Sequence, residues 1–175
     1  AALPDLRSML DDAEPQVQRE ALRAIVQIGT SEAYASLEQA LKNGKPHTRD
    51  AILQALGSLR DERAAPLFVY ILMHTGYNGG LEGVYVSSIE SLGKVATDEQ
   101  SVATLKDILY RGEWWAPYRT ARIRGAAARA LRNIGTPSAS RALEDAAGGA
   151  GGVKRAAKAA LAEPAPLRSI ARGAQ

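Results

Sequence analysis

The chain has 175 residues, enough for one domain with a substantial core, and a formal charge of +3 with a pI near 9.3. It contains no cysteine, which excludes a disulfide framework and any Cys-ligated zinc, so packing alone must stabilise it. Its longest apolar stretch, residues 64–73, falls far short of the roughly 20 residues a bilayer span needs.

Taken in chain order, the sequence alternates short and longer helical patterns. Leu6 and Leu10, four apart, share one face of a first helix, and Asp11-Asp12-Ala13-Glu14-Pro15 ends it. Val17, Ala21, Ile25 and Ile28 then make the buried stripe of a second helix. The same pair of elements returns with Leu37/Leu41, the turn Asn43-Gly44-Lys45-Pro46, and a second helix opening at Thr48. A third copy has Phe68/Leu72 and Val84, and a fourth has Leu105/Leu109 followed by Ile123, Ala127, Leu131 and Ile134. A fifth has Leu143/Ala147, the glycine-rich turn of residues 148–152, and Val153. The second helices end alike, most clearly in Ile28-Gly29-Thr30 and Ile134-Gly135-Thr136. One helical hairpin cannot bury its own stripe, so a periodic series must stack. The expected fold is all-α, an α-solenoid of about five hairpins over residues 1–29, 30–60, 61–96, 97–135 and 136–162, with a tail at 163–175.

The run Ile123-Arg124-Gly125-Ala126-Ala127-Ala128-Arg129-Ala130-Leu131-Arg132-Asn133-Ile134-Gly135-Thr136-Pro137 resembles the HEAT repeats of the short bacterial type first associated with phycobilisome lyases. Their first-helix Ala-x-Pro signature is met by Ala2-Leu3-Pro4 and Ala64-Ala65-Pro66. The resemblance covers residues 1 to 162 and implies a right-handed superhelix. It departs at Ser88 and Ser91, which stand at usual Ala positions, and in the fifth copy, which lacks the closing motif. It also implies that the column of Arg49, Arg124 and Lys154 bridges neighbouring turns through Asp.

The spacing from first-helix anchor to second-helix start is 11 residues in the first two copies, 10 in the fifth, but 16 in the third and 18 in the fourth. Insertions in solenoids project from one edge, often the binding edge. One insertion, residues 74–83, is glycine-rich and contains Tyr77. The other, residues 111–119, holds both tryptophans, Trp114 and Trp115, beside Tyr118 and Arg119, with Arg122 just beyond. Trp, Tyr and Arg anchor interfaces because they combine large area with a polar handle. Two readings stay open: the rings cap adjacent hairpins, or they form a partner site. Arg19, Arg23 and Arg129, on second helices, are expected on the concave face. Val69, Tyr70 and Met73 are expected to leave an apolar patch beside the inward stripe of their helix.

Charge is uneven, with 10 basic against 15 acidic residues over 1–110 and 12 against 4 over 111–175. The chemistry of catalysis is missing from the motifs: two isolated histidines, His47 and His74, make no metal set, and there is no phosphate loop or nucleophile elbow. No enzyme activity, cofactor or metal is expected. The leading expectation is a scaffold that binds a protein partner through its concave face and loop edge. The alternatives are an anion or nucleic-acid binder using the basic C-terminal repeats and the tryptophan segment, and a chromophore-handling component of the bilin-lyase kind. The chain opens on Ala, consistent with a C-terminal part of a longer bacterial protein, and a cytoplasmic location is expected.

Overall fold

The computed structural model describes residues 2–43, 46–58, 62–75, 81–113 and 115–164. The described residues form helices α1 (Ala2–Leu10), α2 (Pro15–Ile28), α3 (Ser31–Asn43), α4 (Pro46–Ser58), α5 (Ala65–His74), α6 (Glu82–Val95), α7 (Glu99–Tyr110), α8 (Pro117–Ile134), α9 (Pro137–Gly148) and α10 (Gly151–Ala162). A single 3-10 turn, Glu62–Ala64, leads into α5. No strand occurs among the described residues. The architecture is an all-α solenoid of paired helices.

The chain divides into two compact units, residues 1–91 and 92–175, with the division inside α6. In the first unit α1 packs on α2 and α3, α2 on α3 and α4, and α3 on α4 and α5. In the second, α7 packs on α8 and α9, α8 on α9 and α10, and α9 on α10. First helices therefore lie on first helices and second on second, which is how hairpins with one apolar stripe bury it against their neighbours. The anchors Leu10, Leu37, Leu41, Phe68, Leu105 and Leu109 are fully buried.

Repeated sequence at the helix ends has a backbone cause. Gly29 and Gly135 adopt φ of 66° and 64°, the left-handed conformation that suits glycine after a helix. Their amides donate to the carbonyls of Ile25 and Leu131 at 3.1 and 3.3 Å. The threonine that follows each one starts the next helix: Ala33 N donates to Thr30 Oγ1 and Ala139 N to Thr136 Oγ1, both at 3.3 Å. Ile-Gly-Thr is thus the stop of one helix joined to the start of another.

Two expectations need correction. Val69 is buried, and Tyr70 is only partly exposed, its ring stacked on His74 at 4.0 Å and tilted against Tyr34 at 5.9 Å. Only Met73 of the expected patch stands out, at 68 % exposure. The reason is that α5 is apolar around most of its circumference, and such a helix is covered on more than one side. The second concerns residues 111–119. The connection from α7 to α8 is only residues 111–116, because Pro117 opens a helix that runs 18 residues where α2 runs 14 and α10 runs 12. Proline fits the first helical position, where its missing N–H leaves no bond unmade. Much of the extra length therefore extends the second helix at its start, and Tyr118 and Arg119 stand in its first turn.

Candidate partner-binding groove

The short segment before α8 is fastened to that helix by polar contacts. Thr120, buried, accepts from the amide of Glu113 at 3.0 Å and its hydroxyl lies 3.1 Å from the Glu113 carbonyl. Arg119 forms an ion pair with the Glu113 carboxylate, and Thr120 N donates to the Ala116 carbonyl at 2.9 Å. With the backbone fixed in this way, Trp115 is left 63 % exposed and Tyr118 91 % exposed, and Tyr110 at the end of α7 is also exposed. Glu113, Arg119 and Thr120 close the hairpin, and most of the surface of Trp115 and Tyr118 stays exposed. Trp114 and Tyr77 lie outside the described residues.

Arg124 lies next to this segment. Its Nε donates to the carbonyl of Arg111 at 3.2 Å, just past the end of α7. Glycine on either side is required for this placement: a Cβ built at Gly112 would meet the Arg124 guanidinium at 2.3 Å, and one at Gly152 would meet it at 2.8 Å. Arg49 behaves alike in the other unit, donating to the carbonyls of Leu41 at 2.8 Å and Lys42 at 3.3 Å near the end of α3. The column that resemblance assigned to Asp-mediated bridging instead supplies, at these two positions, a cation to the carbonyl end of the first helix in its own hairpin. Unsatisfied carbonyls and the negative end of the helix dipole both favour it there.

Beyond Arg124, α8 and α10 run side by side in the same direction, since Arg124 reaches Gly152 at the start of α10 while Arg132 Nη2 donates to the Glu163 carbonyl past its end, at 3.1 Å. Between them lies a groove of about 690 Å³. Its small-residue lining comes from Ala121 and Gly125 on α8 and from Ala156, Ala159 and Ala160 on α10, spaced three and four apart so that they share a face. Arg124, Arg129 and Arg155 also line it, with Glu113 at one end and Glu163 at the other. Arg129 and Arg155 are exposed, and neither has a hydrogen bond or ion pair to another described residue. Gly125 gives Arg129 room, its would-be Cβ lying 3.4 Å from the guanidinium.

The structure thus brings Trp115, Tyr118 and Arg119 together at the start of α8 and places Arg129 farther along the same helix; Arg122 is exposed between them. Arg19 and Arg23, both exposed, belong to the other unit, where Arg23 is paired with Glu20 at 2.5 Å. Sequence reasoning did not single out Arg155, Thr120 or the groove. The available signal was the set of small residues at helical spacing on two second helices, Ala121/Gly125 and Gly152/Ala156/Ala159, which reads in one dimension as ordinary helix filler. Among the described residues no cluster of three or more His, Asp or Glu could hold a metal ion, and no helix is long and apolar enough to cross a membrane.

Residues 3–76 match the family model of HEAT repeats, and residues 123–148 match that of the PBS lyase HEAT-like repeat. No curated protein matches the chain.

Proposed function

Because the chain is a HEAT-repeat protein, we propose that it is a non-catalytic interaction module that holds a protein partner on the α8–α10 face of its second unit. HEAT repeats generally serve as scaffolds for protein interaction. The working unit on this reading is residues 1–162, with 163–175 as a tail. The observation that carries it is the presence, on one helix, of the largely exposed Trp115–Tyr118 segment and a groove in which Arg129 and Arg155 have no partner among the described residues. Large aromatic rings exposed beside unpaired guanidiniums are what interface anchors look like before their partner arrives. Arg119 and Arg122 flank the rings. Arg119 is already engaged by Glu113 and serves to set the segment's geometry.

The test uses the chain immobilised against an extract of its source, alongside the double variant Trp115→Ala/Tyr118→Ala. Both rings are exposed, so the variant should melt within about 0.5 kcal/mol of the parent and lose the captured protein. Undiminished capture by a variant of unchanged stability would remove this face from the interaction. The high positive charge of residues 111–175 favours a second reading, a nucleic-acid partner. A phosphate-held complex weakens steeply between about 50 and 200 mM salt. One anchored by Trp115 and Tyr118 keeps most of its affinity over that range.

A further inference from the structure

We propose that the α8–α10 groove takes an extended acidic peptide segment of the partner, whose carboxylates are held by Arg129 and Arg155 and whose apolar side chain rests on Trp115 and Tyr118. This deepens, and rests on, the reading of the chain as an interaction module. The first support is the distribution of charge. Arg129 and Arg155 come from different helices and face one groove, and neither is paired with a carboxylate among the described residues. Two guanidiniums that face one groove repel each other, and an anionic occupant relieves that cost. The forked guanidinium suits carboxylate in particular, since it donates two parallel hydrogen bonds to the two oxygens.

The second support is the shape of the lining. Ala121, Gly125, Ala156 and Ala159 have no side chain long enough to fill the valley, so a peptide main chain can come close to both helices. The third is the pair of glutamates, which separates a peptide from a nucleic acid. A phosphodiester strand brings one negative charge per nucleotide and would set phosphates against Glu163 and against the Glu113 end of the groove. A peptide carries carboxylates only where its sequence puts them, and its backbone N–H groups can donate to a glutamate. Arg124 is not part of the recognition set: its Nε is bonded to the Arg111 carbonyl and its guanidinium is wedged between Gly112 and Gly152, so it shapes the wall.

The probe is a short fluorescein-labelled peptide alternating Glu and Ala around one Phe, followed by fluorescence anisotropy with the full chain. Its Gln-for-Glu counterpart and a single-stranded DNA oligonucleotide serve as comparisons. The acidic peptide should bind at least tenfold tighter than the neutral one. Arg129→Glu/Arg155→Glu should lose about tenfold, Arg129→Lys/Arg155→Lys should lose less, and Tyr118→Ala should weaken the complex without changing its salt dependence. Circular dichroism of each variant should match the parent, because both arginines are exposed. Equal binding of the neutral peptide, or indifference to the charge reversal, overturns the assignment. Tighter binding of the oligonucleotide, also lost on charge reversal, overturns it in favour of nucleic acid. Capture of a cellular partner that needs Trp115 and Tyr118 but ignores the charge reversal overturns the acidic segment while leaving the module reading intact. Failure of the parent to bind either the peptide or any cellular partner overturns both.

Discussion

The second helices of the two units solve the same problem differently. In the first unit two second-helix arginines are settled at home, Arg23 on α2 paired with Glu20 one turn away and Arg49 on α4 tied to two backbone carbonyls, while Arg19 on α2 is exposed and unpaired among the described residues. In the second, Arg124 follows the same plan as Arg49, yet Arg129 and Arg155 have no partner among the described residues and face a groove. A surface ion pair such as Arg23–Glu20 contributes little, about 0–1 kcal/mol, so leaving a charge unpaired costs stability little as well. What differs is what the surface can recognise. The comparison teaches that a repeat can be turned into a binding face by changing which charges are answered, without altering the hydrophobic stripes that define the fold.

The comparison sharpens most at two glycines in the same repeat column, Gly57 on α4 and Gly93 on α6. A Cβ at Gly93 would meet Ala130 Cα at 2.6 Å and its Cβ at 2.8 Å, so α6 and α8 approach closely only because that atom is missing. Gly93→Ala should cost about 1–3 kcal/mol by overpacking, read as a lowered denaturant midpoint. Gly57 has no neighbour within 4 Å of its would-be Cβ, and Gly57→Ala should be neutral or gain up to about 0.5 kcal/mol from its lower backbone entropy cost. Equal effects at the two sites would mean that the close approach is not a property of the second unit.

A smaller effect is expected at Thr120. Thr120→Val keeps the volume and removes the hydroxyl that serves the Glu113 amide, which should cost about 1–2 kcal/mol and loosen the segment carrying Trp115. Protease cleavage within residues 111–116 would report the loosening. The α1–α2 turn is held by other groups: Gln18 donates to the Asp12 carbonyl and the Asp12 carboxylate accepts from the Glu14 amide, both at 2.8 Å.

The smallest effect is pH-dependent. Burial pushes the Asp98 carboxyl up, but the hydrogen bonds from the Ser101 hydroxyl at 2.7 Å and the Ser101 amide at 2.8 Å outweigh it, so its pKa falls below the ordinary aspartate value. A carboxylate with a depressed folded pKa contributes stability that is present above its unfolded pKa and is lost as pH falls through the folded one. The N-cap of α7 should therefore weaken below about pH 4, whereas Thr30, the neutral cap of α3 in the first unit, should not respond. Asp98→Asn should flatten this part of the acid stability profile at little cost near neutral pH, as asparagine caps about as well as aspartate. An unchanged acid profile in that variant would assign the pH dependence elsewhere.

Most of the fold was legible because it rests on local periodicity: Leu37/Leu41 and Ile123/Ala127/Leu131/Ile134 declare buried faces by spacing alone, and all six are buried. Length arithmetic found the irregular fourth hairpin but gave its whole surplus to a loop, although Pro117 signals a helix start as readily as a turn. The apolar patch failed for a related reason, since spacing identifies one buried stripe and says nothing of a helix covered around most of its circumference, as Val69 shows. The groove was the least legible feature. It depends on Arg124 meeting Gly112 and Gly152 and on Arg129 and Arg155 sharing a valley, and these are neighbours only after two repeats have stacked.

The Ile-Gly-Thr junctions have a consequence for how such a chain can change in length. Only two residues separate α2 from α3 and α8 from α9, and in each pair both are committed, one to the left-handed turn and one to the hydroxyl cap. A residue added or lost there would break two helix ends at once, so these joints are fixed hinge-pins that set the angle between successive hairpins. No such double commitment is seen inside a hairpin among the described residues, and there the connections range from two residues between α9 and α10 to seven between α5 and α6. Length variation, and with it new recognition surface, is therefore barred from the two Ile-Gly-Thr joints and falls to the other turns, those inside hairpins and those between hairpins that lack the motif, such as residues 96–98 between α6 and α7. The hairpin running from Thr30 to residue 60, or from Thr136 to Ala162, becomes the natural unit for grafting or duplication.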